Sequence, residues 1–130
     1  MAETKPVARP LSPHIQIYDM TQITAVSSVL HRATGHALVA GVMLGVWWLL
    51  AASVGGSYFD FVNWIATSWF GDLVFTASLW AVWYHYLCGL RHLYFDAGHG
   101  LELKTAEMLG RACIGGSVLL TLITIVLLHI

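Results

Sequence analysis

Three stretches of this chain carry no formal charge: residues 37–54, 73–90 and 112–128. At the rise of an α-helix the first two are each about 27 Å long, close to the roughly 30 Å hydrocarbon thickness of a bilayer, and the third gains the few residues it needs from its flanks. Three transmembrane helices are therefore expected. In a chain of 130 residues that is 58% apolar and only 10% charged they leave little for a water-soluble domain, so any water-soluble chemistry must belong to partners. The expected fold class is an all-α membrane protein. Its three spans, near 30–54, 68–91 and 108–129, follow an extended N-terminal segment of residues 1–20, and residues 21–130 form one anchor domain within a helical bundle of several subunits. No internal repeat, low-complexity tract or linker divides the chain.

The N-terminal residues contain Pro6, Pro10 and Pro13 with mixed charge and no apolar h-region, so they read as neither a secretory signal nor a helix. They also lack the Arg-rich, acid-poor character of a transit peptide, which leaves a bacterial inner-membrane protein inserted through its own first helix. Lys5, Arg9 and Arg32 precede the first uncharged run, the first loop has no Lys or Arg, the second has Arg91, Lys104 and Arg111, and the C-terminus has none. This distribution places the N-terminus and second loop in the cytoplasm and the C-terminus in the periplasm. Trp64 and Trp69 then fall at the outer interface, where indoles anchor. Cys88 and Cys113 both lie within spans and read as small packing residues rather than a disulfide framework. Lipid is the expected surrounding, and no nucleic-acid partner is expected.

One residue does not belong in an apolar run. His85 sits within the second uncharged stretch, and His85, Cys88, Gly89, His92 and Asp96 recur at i, i+3, i+4, i+7 and i+11, on one helix face. An imidazole at bilayer depth needs a partner, and Gly89 leaves its flank without bulk. A flat cofactor ligated by His85 could lie there, with its charged edge toward Arg91 and His92. His85 lies roughly 9 Å inside the boundary marked by Arg91, in the cytoplasmic half of the bilayer.

A second polar face begins before the first uncharged run. From Thr21 onward the chain is a helix candidate, and Ser28, His31, Arg32, Gly35 and His36 recur at i, i+3, i+4, i+7 and i+8. A porphyrin held by His85 would carry its propionates to the level of His31, Arg32, Arg91 and His92, cations able to pair with carboxylates that are costly to leave in lipid. The spans offer no second histidine at matching depth. A partner subunit would have to provide the other axial ligand.

The segments Arg9-Pro10-Leu11-Ser12-Pro13-His14, Ser28-Val29-Leu30-His31-Arg32-Ala33-Thr34-Gly35 and His85-x3-Gly89-x-Arg91-His92-x3-Asp96 resemble the cytochrome b556 membrane anchors of succinate dehydrogenase, the larger of that enzyme's two anchors. The resemblance covers essentially the whole chain. It implies a complex with a flavoprotein, an iron-sulfur protein and a second, small anchor, passing electrons from succinate to ubiquinone at the cytoplasmic interface. By the resemblance His85 takes the place of the axial ligand of a single haem b, whose opposite ligand is a histidine of the small anchor. Ser28 and Arg32 take the place of the quinone-site hydroxyl and guanidinium, and His31 and His92 resemble residues near the haem propionates. The family's ubiquinone tyrosine lies on the other anchor, so no tyrosine here is assigned that role.

Plainer readings stand beside each of these. A lone intramembrane histidine can simply hydrogen-bond a neighbouring helix, and Arg32 and Arg91 can be snorkelling anchors at span ends. A haem-free structural anchor would account for the spans and the Arg-Pro segment, but not for the depth of His85 or for Gly89 beside it. The equivalent subunit of a fumarate reductase would share the whole architecture, because partner potentials and quinone type set the direction. His14, His36 and His99 receive no role, and Asp96 is expected to pair with a cation or touch a partner.

Overall fold

The computed structural model describes residue 17 and residues 19–130. The motif from Arg9 to His14, and Lys5, lie outside the described residues. Those described form four helices and no strand: α1 Ile23–Val54, α2 Gly56–Ala66, α3 Trp69–Asp96 and α4 Leu103–His129. The three long ones, α1, α3 and α4, are long and apolar enough to cross a membrane. The fold is thus an all-α, multi-pass bundle.

α1 starts well before its uncharged run. Its 32 residues amount to about 48 Å, more than the hydrocarbon thickness, so the end that carries Ser28, His31 and Arg32 reaches into the interface. Just ahead of it the backbone N–H and hydroxyl of Thr21 both donate to Asp19 Oδ1, at 2.9 and 2.6 Å. These two bonds hold that exposed carboxyl below the usual carboxylate range.

The other end of α1 is broken by Gly55 and Gly56, both at positive φ (73° and 62°), where a side chain would be strained. The chain turns there into α2, a short helix that no apolar run announces. Two indoles of α1 clamp it: Trp47 Nε1 donates to the Tyr58 hydroxyl at 2.8 Å, and Trp48 Nε1 to Asn63 Oδ1 at 3.1 Å. The Ser68 side chain then caps α3 by accepting from the Gly71 N–H at 3.3 Å. A Cβ on Gly71 would collide with the Ala66 carbonyl oxygen, so this tight α2–α3 corner requires glycine.

α3 is the central helix and packs against α1, α2 and α4. The buried core is Tyr84, Cys88 and Cys113, with Leu30, Trp80, Leu87 and Ile114 packed around it. Both cysteines are free. Small residues set the helix spacing, as membrane packing requires where no hydrophobic force draws helices together. A Cβ on Gly41 would come 2.7 Å from Ser78 Oγ, one on Gly116 would come 3.1 Å from Leu87, and Gly110 lies against Ile23 and Ser27. Trp83 Nε1 adds a bond to Thr124 Oγ1 at 3.0 Å, tying α3 to α4. Much of the remaining apolar surface is outward, including Val39, Val42, Leu49, Val82 and Leu122. A solvent of lipid, or a neighbouring helix, is what such a surface suits.

Candidate haem and quinone site

The crossing of α1 and α3 brings His31, His85 and His92 together. The rings of His31 and His85 stack at 4.1 Å between centroids and 16° between planes, and His92 tilts against His31 at 5.0 Å. This closeness depends on Gly35 of α1. A Cβ there would lie 3.2 Å from His85 Cε1, so a larger residue would push the imidazole outward.

The hydrogen bonds of His85 decide its tautomer. Nδ1 lies 3.2 Å from the His31 carbonyl oxygen and 3.5 Å from Thr34 Oγ1. A carbonyl only accepts, so Nδ1 carries the proton and Nε2 keeps its lone pair. No described residue hydrogen-bonds Nε2. An imidazole anchored through Nδ1–H to a backbone carbonyl, with Nε2 free, is the usual arrangement of a metal-ligating histidine.

Ser28 and Arg32 sit one turn apart on the exposed flank of α1. Arg32 Nε donates to the Ser28 backbone carbonyl at 3.4 Å, and the Ser28 hydroxyl has no partner among the described residues. His36 is set apart, its Nδ1 2.8 Å from the Arg32 carbonyl of its own helix.

Arg91 takes a different direction. Its Nη1 donates to Ser27 Oγ at 2.8 Å, its guanidinium carbon lies 4.9 Å from the Phe95 ring centroid, and its buried Nε has no partner among the described residues. Ser27 Oγ donates onward to the Thr24 carbonyl at 3.0 Å, and the Tyr84 hydroxyl donates to the Ser27 carbonyl at 3.1 Å. This network ties α1 to α3 in the buried interior. The geometry therefore groups His31, His85 and His92, leaves Ser28 and Arg32 on the adjoining outer flank, and turns Arg91 inward.

Sequence reasoning missed Thr34 and Ser27, and placed Gly35 on the polar face without giving it a role. Gly35 and Thr34 lie within a quoted motif, and Ser27 adjoins it; only the register between two helices reveals what they touch.

The donor set fits a haem better than a bare metal ion. Among the described residues no group of three or more His, Cys, Asp or Glu side chains could hold an ion. A porphyrin supplies most of its iron's donors itself, so a single imidazole nitrogen such as Nε2 of His85 would be enough to hold it. Beside it Gly89 has nothing within 4 Å of where a Cβ would stand, leaving that flank of α3 uncovered. Nδ1 of His31 is buried with no partner among the described residues, a polar atom that a propionate could satisfy.

Comparison with known proteins identifies the family. Residues 5–124 match the family described as succinate dehydrogenase/fumarate reductase transmembrane subunit. The chain is 45% identical over 130 residues to the succinate dehydrogenase cytochrome b556 subunit of Paracoccus denitrificans, covering 100% of this chain and 99% of that one. It is 34% identical over 116 residues to the cytochrome b556 subunit of Rickettsia felis, covering 88% and 89% of the two chains. The mitochondrial cytochrome b560 subunit of Bos taurus is 40% identical over 108 residues, 80% of this chain and 62% of that one. The three crossing helices, the motif-bearing α1 and α3, and full-length identity to a cytochrome b556 subunit converge on one assignment: the chain belongs to the succinate dehydrogenase/fumarate reductase transmembrane-subunit family.

Proposed function

We propose that this chain is the larger membrane anchor of a succinate:ubiquinone oxidoreductase in a bacterial inner membrane, holding one haem b with a second, small anchor and forming part of the ubiquinone-reduction site. The observation that carries this reading is His85, an intramembrane imidazole whose Nδ1–H is committed to the His31 carbonyl and whose Nε2 is free. The complex would include a flavoprotein that oxidises succinate and an iron-sulfur subunit that passes the electrons on. No complete active site lies on this chain. The N-terminus faces the cytoplasm and the C-terminus the periplasm.

The chain's own residues have separable tasks. His85 would hold the haem iron through Nε2, presented in a fixed orientation, and a histidine of the small anchor would hold it as well. His31 and His92 would give the propionates donors and Arg32 would add positive charge, with Arg91 contributing its charge from the adjoining interior. When bound, the haem supplies a one-electron redox centre close to the quinone.

Reduction of a quinone takes two electrons and two protons, and its carbonyl oxygens gain negative charge before they are protonated. The Ser28 hydroxyl and the Arg32 guanidinium are donors able to stabilise that charge. Closeness to the cytoplasm shortens the path for protons from water and for electrons from a peripheral subunit. A fumarate reductase anchor would have the same architecture; the cytochrome b556 relatives at 45% and 34% identity are succinate dehydrogenase subunits, which favours succinate oxidation.

The decisive experiment is His85→Leu in the whole complex. A six-coordinate b-type spectrum should be lost or rearranged, and an unchanged spectrum and midpoint potential would remove His85 as ligand. Arg32→Lys, and more severely Arg32→Leu, should lower succinate-to-quinone activity while succinate oxidation by an artificial acceptor upstream of quinone stays near normal. Equal loss of both activities would mean failed assembly, and loss of neither would move the quinone site elsewhere.

A further inference from the structure

The hydroxyl of Thr34 is almost fully enclosed, with the residue 3% exposed. Its Oγ1 lies 2.9 Å from the Leu30 carbonyl and 2.9 Å from the His31 carbonyl, a single proton shared between the i−4 and i−3 oxygens of its own helix. The His31 oxygen is also the acceptor of His85 Nδ1–H. One carbonyl therefore serves both the threonine and the histidine. We propose that Thr34 is a positioning residue that, by sharing this acceptor, limits the electron donation of His85 through Nε2 and so raises the reduction potential of the haem held there. The inference rests on His85 as the axial ligand.

A carbonyl that already accepts from a hydroxyl has less electron density to offer a second donor, and the Nδ1–O separation of 3.2 Å is at the long end for an N–H bond. An imidazole whose Nδ1–H is only loosely held has little imidazolate character, and its Nε2 is a weaker electron donor. A weaker axial donor favours the reduced iron. Thr34 Oγ1 is itself 3.5 Å from Nδ1, and its proton points to the carbonyls, so the carbonyl is the principal partner of the imidazole. Gly35 completes the arrangement, because its lack of a Cβ lets the ring lie within reach of that carbonyl. A threonine that bonds back to its own helix is common in membrane spans and by itself signals nothing. What sets Thr34 apart is that its acceptor is the one atom that also fixes the tautomer of His85.

Thr34→Val removes the hydroxyl and keeps the branched shape; Thr34→Ser keeps the hydroxyl. Both are made in the intact membrane complex, haem is quantified per complex, and redox titration of the b-type absorption band gives the midpoint potential. Thr34→Val should keep the haem content and move the midpoint to a more negative value, with Thr34→Ser close to the unaltered protein. A midpoint that stays in place or rises in Thr34→Val would overturn the inference. So would equal shifts in both variants, or loss of haem from Thr34→Val, since each would make the hydroxyl structural. His85→Leu run in parallel separates the two levels of argument. If it alters the haem while Thr34→Val does not, only the role of Thr34 fails; if it leaves the haem intact, the ligand assignment fails and the inference with it.

Discussion

Ser27 and Ser28 are neighbours in sequence with opposite surroundings, and exchanging each for alanine separates fold from function. Ser27 is 0% exposed and its Oγ is the acceptor of Arg91 Nη1 at 2.8 Å. Ser27→Ala leaves that donor without an acceptor on a side chain whose buried Nε already has no partner among the described residues. Hydrogen bonds to charged groups contribute about 1.5–3 kcal/mol, whereas interhelical bonds within membranes average about 0.6 and reach about 1.7. Because the orphaned donor is cationic and enclosed, the upper part of the membrane range applies, and the loss should be about 1.5–2 kcal/mol. At about 1.4 kcal/mol per tenfold this lowers the folded-to-unfolded ratio by 10- to 30-fold. Ser28→Ala removes an exposed hydroxyl with no protein partner and should stay within about 0.5 kcal/mol.

The assay is reversible unfolding by SDS in mixed micelles, followed through tryptophan fluorescence, to which Trp80, its ring stacked 5.5 Å from that of Tyr84 in the same core, contributes. Arg91→Leu supplies the double-mutant cycle. If the two side chains interact as described, Ser27→Ala combined with Arg91→Leu should cost about 1 kcal/mol less than the sum of the single changes. Strict additivity, or a Ser28→Ala protein that is the less stable of the two serine variants, would refute the reasoning. In quinone reduction the order should reverse, with Ser28→Ala slower than normal through the loss of one neutral donor at about 0.5–1.5 kcal/mol.

Gly71→Ala drives a methyl into the Ala66 carbonyl and should cost about 1–3 kcal/mol, read as a lower thermal midpoint; an unchanged midpoint would mean that the corner is looser than described. Trp83→Phe loses the bond to Thr124 Oγ1, but that hydroxyl keeps its own donation to the Leu120 carbonyl at 2.8 Å, so about 0.6 kcal/mol is expected in SDS unfolding and a loss above 2 would contradict it. A reporter fused after Ile130 should be active only if it functions in the periplasm, and one inserted in the 97–102 loop only if it functions in the cytoplasm; the reverse pattern would put the quinone site on the wrong side.

The spans were legible because charge-free runs of bilayer length have few other uses, and the early start of α1 was legible because Ser28, His31, Arg32 and Gly35 keep a helical period outside the apolar run. The histidine cluster was partly legible. Spacing along one helix put His92 on the face of His85, while the stacking of His31 on His85 is a property of two helices in register. α2 escaped notice because its eleven residues are too few to cross a bilayer and include Asp60, so a search for charge-free runs of bilayer length passes over them. Arg91 shows the limit most clearly. Its position at the end of a span looks the same whether the guanidinium turns out toward an anionic group or inward to Ser27, and a buried hydroxyl on another helix selects the inward direction. The glycine whose absent side chain matters to His85 is Gly35, across the interface, as well as Gly89 on its own helix.

The central position of α3 has a consequence for how the chain is made. Of the three spans it is the least apolar, because it carries His85, His92 and several tyrosines and tryptophans. α1 and α4 are apolar enough to leave the translocation channel for lipid on their own. α3 has a weaker claim on lipid, and its contacts with α1 before it and α4 after it complete its insertion. Biosynthesis of this subunit therefore passes through a stage in which α3 lacks its α4 neighbour. Until α4 emerges from the ribosome, the helix that bears His85 is held by α1 and α2 alone, with the side that α4 will cover still open.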